Sequence, residues 1–383
     1  MATSPILRTP PATLRRHRSR AAEQTSLTFS PAARPGNCEP RGDARSPLPA
    51  VATPEAEHPA ELVGIARLAA SSPCAEAKRG TEYFLLPVRS ILNHCEPKHV
   101  PFNWTINPYR GCEFGCRYCY ARYTHEFMEL DGDEFEKKIF VKQNSGPLVS
   151  RDLAAGKAWG EHIAIGAATD PYQPAEKEFG ATRAILEKMA EREGLSLSIT
   201  TKSNRVVRDI DLLQRIAERS SISVNMTITT MRPRLARMLE PRAPHPILRL
   251  EAVRKLREAG IAVGVFVMPV IPHMTDRRAD LDSLAGEARD AGAQWFCGRV
   301  LYLMPASWKT FFAFLEEKFP KLALRYRDIY RGYGEAPEKY RREISVVFND
   351  LRQKYNLGSR PVVHAPAVAP KTQQLDFAWS GSR

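Results

Sequence analysis

The chain has 383 residues, enough for one large domain or two ordinary ones. Hydrophobic residues make up 43% and charged residues 26%, which is ordinary for a globular protein, and no apolar run is long enough to span a bilayer. The net charge is +13, and residues 1–60, with 8 basic and 5 acidic residues, account for little of it. A basic folded region favours a nucleic acid partner, although a generally basic proteome would give the same charge.

Residues 1–75 are rich in proline and nearly free of aromatic side chains. Because such a segment cannot bury enough apolar surface to fold, we predict a disordered tail. Its arginine cluster, Arg15, Arg16, Arg18 and Arg20, would also suit an organelle transit peptide or a weak nucleic-acid-binding arm. Residues 361–383 are predicted to form a second, flexible tail. The first residues lack the apolar core of a secretory signal, so we expect a cytoplasmic protein.

From residue 100 onward, short strand-like runs alternate with helical patterns, which is typical of stacked β-α units. We therefore predict an α/β protein: a (β/α)6 partial TIM-type barrel over residues 76–305, followed by a C-terminal helical extension over 306–360. The predicted strands are 102–107, 162–168, 195–201, 222–228, 261–268 and 294–301. The predicted helical segments are Glu176–Glu193, Ile210–Arg219, Ile247–Ala259, Trp308–Tyr330 and Glu338–Tyr355.

Several of these strands alternate between apolar and small polar residues, as in Ser223, Asn225 and Thr227. Strands buried on both faces usually read as continuous apolar runs, so the alternation indicates one apolar face and one polar face. Inside a barrel the polar face must line the lumen, where a polar ligand or ordered water would satisfy it. An antiparallel sheet with one wet face is the alternative.

Three of the seven cysteines, Cys112, Cys116 and Cys119, lie on one short stretch directly after the first predicted strand. An odd cysteine count does not suit a secreted disulfide framework, and the clustering points to metal ligation in a reducing compartment. Three thiolates can each hold one iron of a four-iron cluster and leave the fourth iron open. A zinc site with His125 as fourth ligand, or an electron-transfer cluster completed by Cys95 or Cys297, remain as alternatives.

With Tyr118 directly before the third cysteine, this motif resembles the signature of the radical S-adenosylmethionine (SAM) superfamily. The resemblance implies that Cys112, Cys116 and Cys119 bind a [4Fe-4S] cluster whose open iron chelates SAM. Reductive cleavage of SAM would give a 5′-deoxyadenosyl radical that abstracts hydrogen from a substrate. The resemblance also implies an electron donor such as flavodoxin or ferredoxin, and it places Tyr118 near the adenine.

Five further segments are similar, in the same order, to the spore photoproduct lyase-like branch of this superfamily, also labelled DNA repair photolyase-like. The resemblance covers about residues 85–360. Its segments are Thr169–Glu176, Thr201–Ser203, Arg208–Leu213, Glu240–Pro244 and Pro269–Pro272.

The resemblance also implies roles for polar residues on the predicted strands. Those that end the second strand would bind the amino group of SAM, a lysine ending the third strand would pair with its carboxylate, and those on the fourth strand would bind the ribose hydroxyls. A lysine suits this task because its long stem carries a compact charge. In the same order, these residues are Thr169 and Asp170, then Lys202, then Ser223, Asn225 and Thr227.

The sequence departs from spore photoproduct lyase at the end of the second strand, where that enzyme has a hydrogen-donating cysteine and this chain has Ala167 and Ala168. Cys297, on the sixth strand, could donate hydrogen or simply pack. We therefore predict hydrogen abstraction, with nucleic acid as the favoured substrate. A radical SAM enzyme acting on a peptide or small molecule, and a zinc-stabilised nucleic-acid-binding protein without catalysis, are the alternatives.

Arginines that follow the fourth strand could grip phosphates at the barrel rim, or they could form a solvated helix face. They are Arg232, Arg234, Arg237, Arg242 and Arg249.

Overall fold

The computed structural model describes residues 62–78, 80–96, 102–331 and 334–359. Its strands, in chain order, are β1 (Cys74–Lys78), β2 (Thr81–Leu86), β3 (Leu92–His94), β4 (Trp104–Ile106), β5 (Tyr109–Arg110), β6 (Lys138–Lys142), β7 (His162–Ile165), β8 (Ser196–Thr201), β9 (Ser221–Thr227), β10 (Ala262–Val270), β11 (Phe296–Val300), β12 (Tyr302–Leu303) and β13 (Gly334–Glu335).

Its α-helices are α1 (Gly64–Ala70), α2 (Tyr123–Glu126), α3 (Ser145–Ala154), α4 (Ala175–Phe179), α5 (Ala181–Met189), α6 (Ile210–Ala217), α7 (Pro233–Leu239), α8 (Pro246–Glu258), α9 (Arg278–Asp290), α10 (Pro305–Lys318), α11 (Pro320–Tyr330) and α12 (Glu338–Tyr355). Across the described ranges, none of these helices is long and apolar enough to cross a membrane.

A seven-stranded sheet in the order β11-β10-β9-β8-β7-β4-β3 forms the centre of the fold. Strands β4, β7, β8, β9, β10 and β11 are the six predicted strands, and they pair with one another in parallel. Strand β3 adds an antiparallel edge beside β4. The predicted α/β partial barrel is therefore confirmed, with β3 and β11 as its two edge strands.

The strands have one apolar face and one polar face, as their alternating sequences predict. Val224, Val263 and Val265 lie on the apolar face and are fully buried in the core cluster that includes the helices. The intervening residues of β9, such as Asn225, lie on the opposite face, paired in register with Thr200 on β8 and Gly264 on β10.

A second sheet, in the order β1-β2-β6-β5, was not predicted. It stands next to the cysteine loop because β5 and β6 flank that loop in the chain. Its stacked Phe84 and Phe140 rings, with centroids 5.1 Å apart, form a small core with Ala69 of α1.

The predicted N-terminal tail is therefore too long. Helix α1 lies within residues 62–75 and strand β1 begins there at Cys74, because α1 packs on the second sheet and β1 pairs with β2. The part of that prediction before residue 62, and the predicted tail over 361–383, lie outside the described residues.

Two predicted helical segments are each divided into two helices. The segment from Glu176 breaks at Gly180, whose φ of +59° is left-handed and separates α4 from α5. The aromatic C-terminal stretch breaks where Phe319 meets Pro320, which begins α11. Beyond it, α12 packs on β11, with Phe348 stacked on Phe296 at 5.1 Å.

Candidate active site

The three cysteines of the motif lie on one tight loop between β5 and a short 3-10 helix. Cys112 N donates to Phe135 O at 3.0 Å, and Cys119 N donates to Cys116 O at 3.2 Å. Gly111 begins the loop with φ of +84°, and a Cβ there would lie 2.7 Å from the carbonyl oxygen of Lys138. Only glycine therefore fits at this point, which fixes the path of the chain into Cys112.

The segment that follows β7 holds this loop from one side. Thr169 Oγ1 donates to Gly111 O at 2.6 Å, and Gln173 Nε2 donates to the same oxygen at 3.1 Å. The other end of the Gln173 amide accepts from Glu113 N at 2.9 Å. Thr169, predicted to contact the SAM amino group, thus has its hydroxyl bonded to the cysteine loop. Gln173 was not singled out from the sequence.

The segment between β9 and α8 holds the loop from the other side. Arg117 N donates to Leu239 O at 2.9 Å, and Arg242 N donates to Phe114 O at 3.2 Å. The buried guanidinium of Arg122 adds a bond to Cys116 O at 3.3 Å. The loop is therefore anchored through its backbone, so its cysteine side chains are not needed to hold it.

A buried charge pair lies directly behind Tyr118. The Tyr118 hydroxyl donates to Glu240 Oε1, which also accepts from Thr229 Oγ1 at 2.9 Å. The other Glu240 oxygen pairs with Arg249 Nη2 at 2.5 Å. Burial opposes the ionisation of Glu240, but Arg249 and Lys202 outweigh it and hold the pKa of this carboxyl below its usual range. The Tyr118 side chain is thus fixed by a hydrogen-bonded ion pair.

Arg249 therefore does not lie at a rim where it could grip phosphates. Its side chain is 1% exposed, and besides Glu240 it donates to the backbone oxygens of Thr227 and Pro244. Arg234 and Arg237, by contrast, are exposed on α7. The sequence prediction was wrong for Arg249 because helical spacing alone does not show which side of a helix meets a carboxylate.

Asp170 joins the ends of β7 and β8. Its carboxylate accepts from Thr201 Oγ1 at 2.7 Å, from Lys202 N at 2.7 Å and from Tyr172 N at 2.9 Å. Burial raises the pKa of Asp170, although these hydrogen bonds oppose the rise. The bond to Lys202 N sets the position from which the Lys202 side chain extends.

Lys202 extends toward Tyr118, with its Nζ 5.7 Å from the centre of that ring. Burial alone lowers the pKa of Lys202, but Cys116 and Glu240 outweigh it and the pKa is raised. The ammonium is therefore charged and lies near the cysteine loop. The structure brings Tyr118, Lys202 and Asp170 together with the loop, at the carboxyl ends of the parallel strands.

Deeper in the sheet, the polar face is filled by the protein itself. Trp295 Nε1 donates to Asn225 Oδ1 at 3.1 Å, and its indole lies against Gly264, where a Cβ would be only 2.3 Å away. Asn225, predicted to contact ribose, therefore has its oxygen engaged within the protein. Ser223 and Thr227 are buried on the same strand.

His125, the fourth ligand of the zinc alternative, belongs to the core of the second sheet. Its Nε2 bonds to Lys138 O at 3.0 Å, and its ring packs edge-on against Phe135 at 5.2 Å. Burial lowers its pKa to about 3. Within the residues described, no three His, Cys, Asp or Glu side chains converge as ligands of a single metal ion would.

The other two cysteines considered as cluster ligands lie on the sheet. Cys95 follows β3, with its Sγ 3.7 Å from Thr105 Oγ1 on β4. Cys297 lies on β11, in register with Phe266 on β10, at the far edge of the same sheet.

The donors present suit a four-iron cluster that keeps one iron open. The loop offers three sulfur ligands, each of which can take a different iron, and its backbone is held independently of them. Burial raises the pKa of Cys112 and of Cys119, and raises that of Cys116 to about 12. These thiols would have to lose their protons to bind iron, so loading a cluster here would release protons.

Comparison with known proteins agrees with this reading. The family model of the radical SAM superfamily matches residues 106–285. An uncharacterised protein of Mycobacterium tuberculosis is 34% identical over 275 residues, which are 72% of this chain and 79% of the relative. The chain belongs to the radical SAM superfamily. An uncharacterised protein of Methanocaldococcus jannaschii is 30% identical over 261 residues, covering 67% of this chain and 90% of the relative.

Solved structures of spore photoproduct lyase share the fold of this radical SAM enzyme. One variant superposes with a TM-score of 0.56 and 17% identity, covering 72% of this chain and 80% of the other. A second variant, with bound AdoMet and dinucleoside spore photoproduct, superposes with a TM-score of 0.56 and 18% identity, and the covered shares of the two chains are the same. The cofactors of this superfamily are a [4Fe-4S] cluster and SAM.

Proposed function

We propose that the chain abstracts a hydrogen atom from nucleic acid at the carboxyl ends of its parallel strands. The observation that carries the proposal is the cysteine loop itself, anchored by backbone bonds on two sides with the Lys202 ammonium next to it. In this proposal Cys112, Cys116 and Cys119 hold the cluster. When bound, the cluster supplies the electron that cleaves SAM to a 5′-deoxyadenosyl radical.

The surrounding residues position SAM. Lys202 pairs with its carboxylate, because a charged ammonium lies beside the loop with no hydrogen-bond acceptor for its Nζ among the described residues. Tyr118 offers a ring fixed by Glu240 for the adenine. Thr169 and Asp170 shape the amino-group end through backbone contacts, and Ser223 and Thr227 lie on the strand that we assign to the ribose.

Nucleic acid is supported by the charge of the chain and by the fold. The net charge of +13 favours a polyanionic substrate. The fold is shared with a lyase solved with a dinucleoside photoproduct. We infer that an electron donor such as flavodoxin or ferredoxin feeds the cluster, and that the protein works in the cytoplasm, where thiols stay reduced.

Deuterium transfer tests this function. The anaerobically reconstituted protein is incubated with dithionite, SAM and DNA or RNA carrying deuterated sugars and bases, and 5′-deoxyadenosine is analysed by mass spectrometry. We expect deuterium in the 5′-deoxyadenosine. Formation of 5′-deoxyadenosine that never acquires deuterium from either nucleic acid would contradict a nucleic acid substrate and favour a peptide or small molecule.

A further inference from the structure

Two cationic side chains share one face of the second sheet without an acidic partner. Arg110 on β5 pairs in register with Phe140 on β6, so both side chains point to the same face, and Lys142, two residues further along β6, points there too. Lys142 is only 6% exposed. Across the described ranges, no Asp or Glu pairs with either cation, and the buried Nε of Arg110 has no hydrogen-bond partner.

A second buried lysine on β6, Lys138, differs from Lys142 because it has an acidic partner. Lys138 lies on the same face of β6, four residues earlier, and is buried to a similar degree at 5% exposed. Its ammonium pairs with Glu134 at 3.0 Å. A buried cation normally has such a counter-charge, because an unpaired charge in the interior costs several kcal/mol. Burial, with Arg110 nearby, lowers the pKa of Lys142 to about 7.

An exposed row of aromatic rings adjoins these cations. Arg110 Nη1 donates to the backbone oxygen of Thr124 at 3.3 Å, which places the guanidinium beside Tyr123. The Tyr123 ring stacks on Tyr120 at 6.3 Å and meets Phe127 edge-on at 5.4 Å. Phe127 is 58% exposed and Tyr120 is 43% exposed. A contiguous patch of exposed apolar side chains often marks a binding site.

This row leads to the candidate active site. Tyr120 directly follows Cys119, and its hydroxyl donates to the backbone oxygen of Ala167, just beyond β7. Asp131 and Asp133, which follow this row, both pair with Lys309 of α10, while Glu126 and Glu129, on either side of Phe127, are exposed. The aromatic row therefore ends at the cysteine loop, with the Arg110 guanidinium beside Tyr123 and Lys142 buried on the same sheet face as Arg110.

We propose that Arg110, Lys142, Tyr120, Tyr123 and Phe127 form a docking surface for single-stranded nucleic acid, in which the cations hold a backbone phosphate and the rings stack on bases. Aromatic rings beside a basic groove are how proteins hold unpaired bases, since every base offers a π-face. A phosphate also supplies the counter-charge that Arg110 and Lys142 lack. The inference deepens the proposed function, on which it rests for the link between this surface and the radical site.

The test measures how tightly the reconstituted protein binds a fluorescein-labelled oligothymidylate of ten nucleotides. Binding is monitored by fluorescence anisotropy at several salt concentrations, without SAM or reductant. Lys142→Met should weaken binding and lower the slope of log affinity against log salt by about 0.7, the loss of one phosphate contact on a single strand. Phe127→Ala should weaken binding about fivefold or more.

Matched controls come from the same chain. Lys138→Met removes an equally buried lysine of the same strand face, and Trp159→Ala removes a ring that is 60% exposed elsewhere. Both should bind the oligonucleotide like the wild type, with melting temperatures recorded to show that all variants are folded. Equal effects of Lys142→Met and Lys138→Met would overturn the proposal, as would undetectable wild-type binding at low salt or tighter binding of a duplex of the same length.

The docking surface and the proposed function can fail independently of each other. Binding is measured without any radical chemistry, so Lys142-dependent binding with no deuterium transfer would contradict the proposed function and leave the docking surface standing. Deuterium transfer that Lys142→Met and Phe127→Ala leave unchanged at subsaturating oligonucleotide would overturn the docking surface and leave the proposed function standing.

Discussion

Glu240 and Arg249 form a nearly inaccessible ion pair at the base of Tyr118. Breaking such a pair leaves one charge buried without a partner, which costs about 3–5 kcal/mol. Glu240→Gln should therefore lower the free energy of unfolding by about that amount, measured by urea denaturation. The double variant Glu240→Gln/Arg249→Met should recover much of the loss because no unpaired charge remains. A loss below about 1 kcal/mol in Glu240→Gln would contradict this role.

His125 makes stability depend on pH. Its pKa is about 3 in the folded protein, because burial disfavours the charged ring, against about 6.5 when unfolded. The unfolded state thus binds the extra proton, and stability is lost as pH falls from about 6.5 toward 3. Between pH 7 and pH 5 the loss should be about 2 kcal/mol. His125→Phe should remove this part of the pH dependence in urea titrations, and an unchanged pH slope would contradict it.

At the residue scale, the sequence identifies groups of residues that are close together because they are neighbours in the chain. Cys112, Cys116 and Cys119 lie within one loop, so their proximity is a local property of the chain. The Tyr118–Glu240 bond joins residues far apart in the chain, and no local pattern predicts such a contact. The same holds for Asn225, whose partner Trp295 approaches only when the sheet curls.

Among the elements, the packing of α12 on β11 depends on one position without a side chain. A Cβ on Gly298 would lie 2.1 Å from the Phe348 ring, which stacks on Phe296. Gly298→Ala should therefore destabilise the protein by about 1–3 kcal/mol through overpacking. The same substitution made in a Phe348→Ala background should cost much less, because the clash is gone. A double-mutant cycle with no coupling between the two positions would contradict this contact.

The elements of the barrel were predictable because each strand alternates with a helix nearby in the chain. The second sheet was not, because β2 and β6 pair across the whole cysteine loop and β6 is only five residues long. The sequence shows a glycine at 180 and a proline at 320, where the two helical segments break. It does not show whether the glycine ends a helix, because that depends on its backbone angle in the folded chain.

For the whole molecule, the arrangement of chain segments explains why the site lies where it does. Parallel strands bring the residues after β7 and β8 to the same end of the sheet, where they meet the loop after β5. The second sheet and the segment before α8 then hold that loop from outside. The barrel thus positions the residues that we assign to SAM, and the added sheet provides the surface that we assign to nucleic acid.

The central claim is that the loop of Cys112, Cys116 and Cys119 carries a cluster that cleaves SAM. The most direct test reconstitutes the protein anaerobically with iron and sulfide, reduces it with dithionite, and measures 5′-deoxyadenosine formed from SAM. We predict about four irons per chain and product formation in the wild type. Both should be lost or sharply reduced in Cys112→Ala, Cys116→Ala and Cys119→Ala, and product formation should persist in Cys297→Ala. Equimolar zinc in place of iron, or product formation that survives the loop substitutions, would contradict the account.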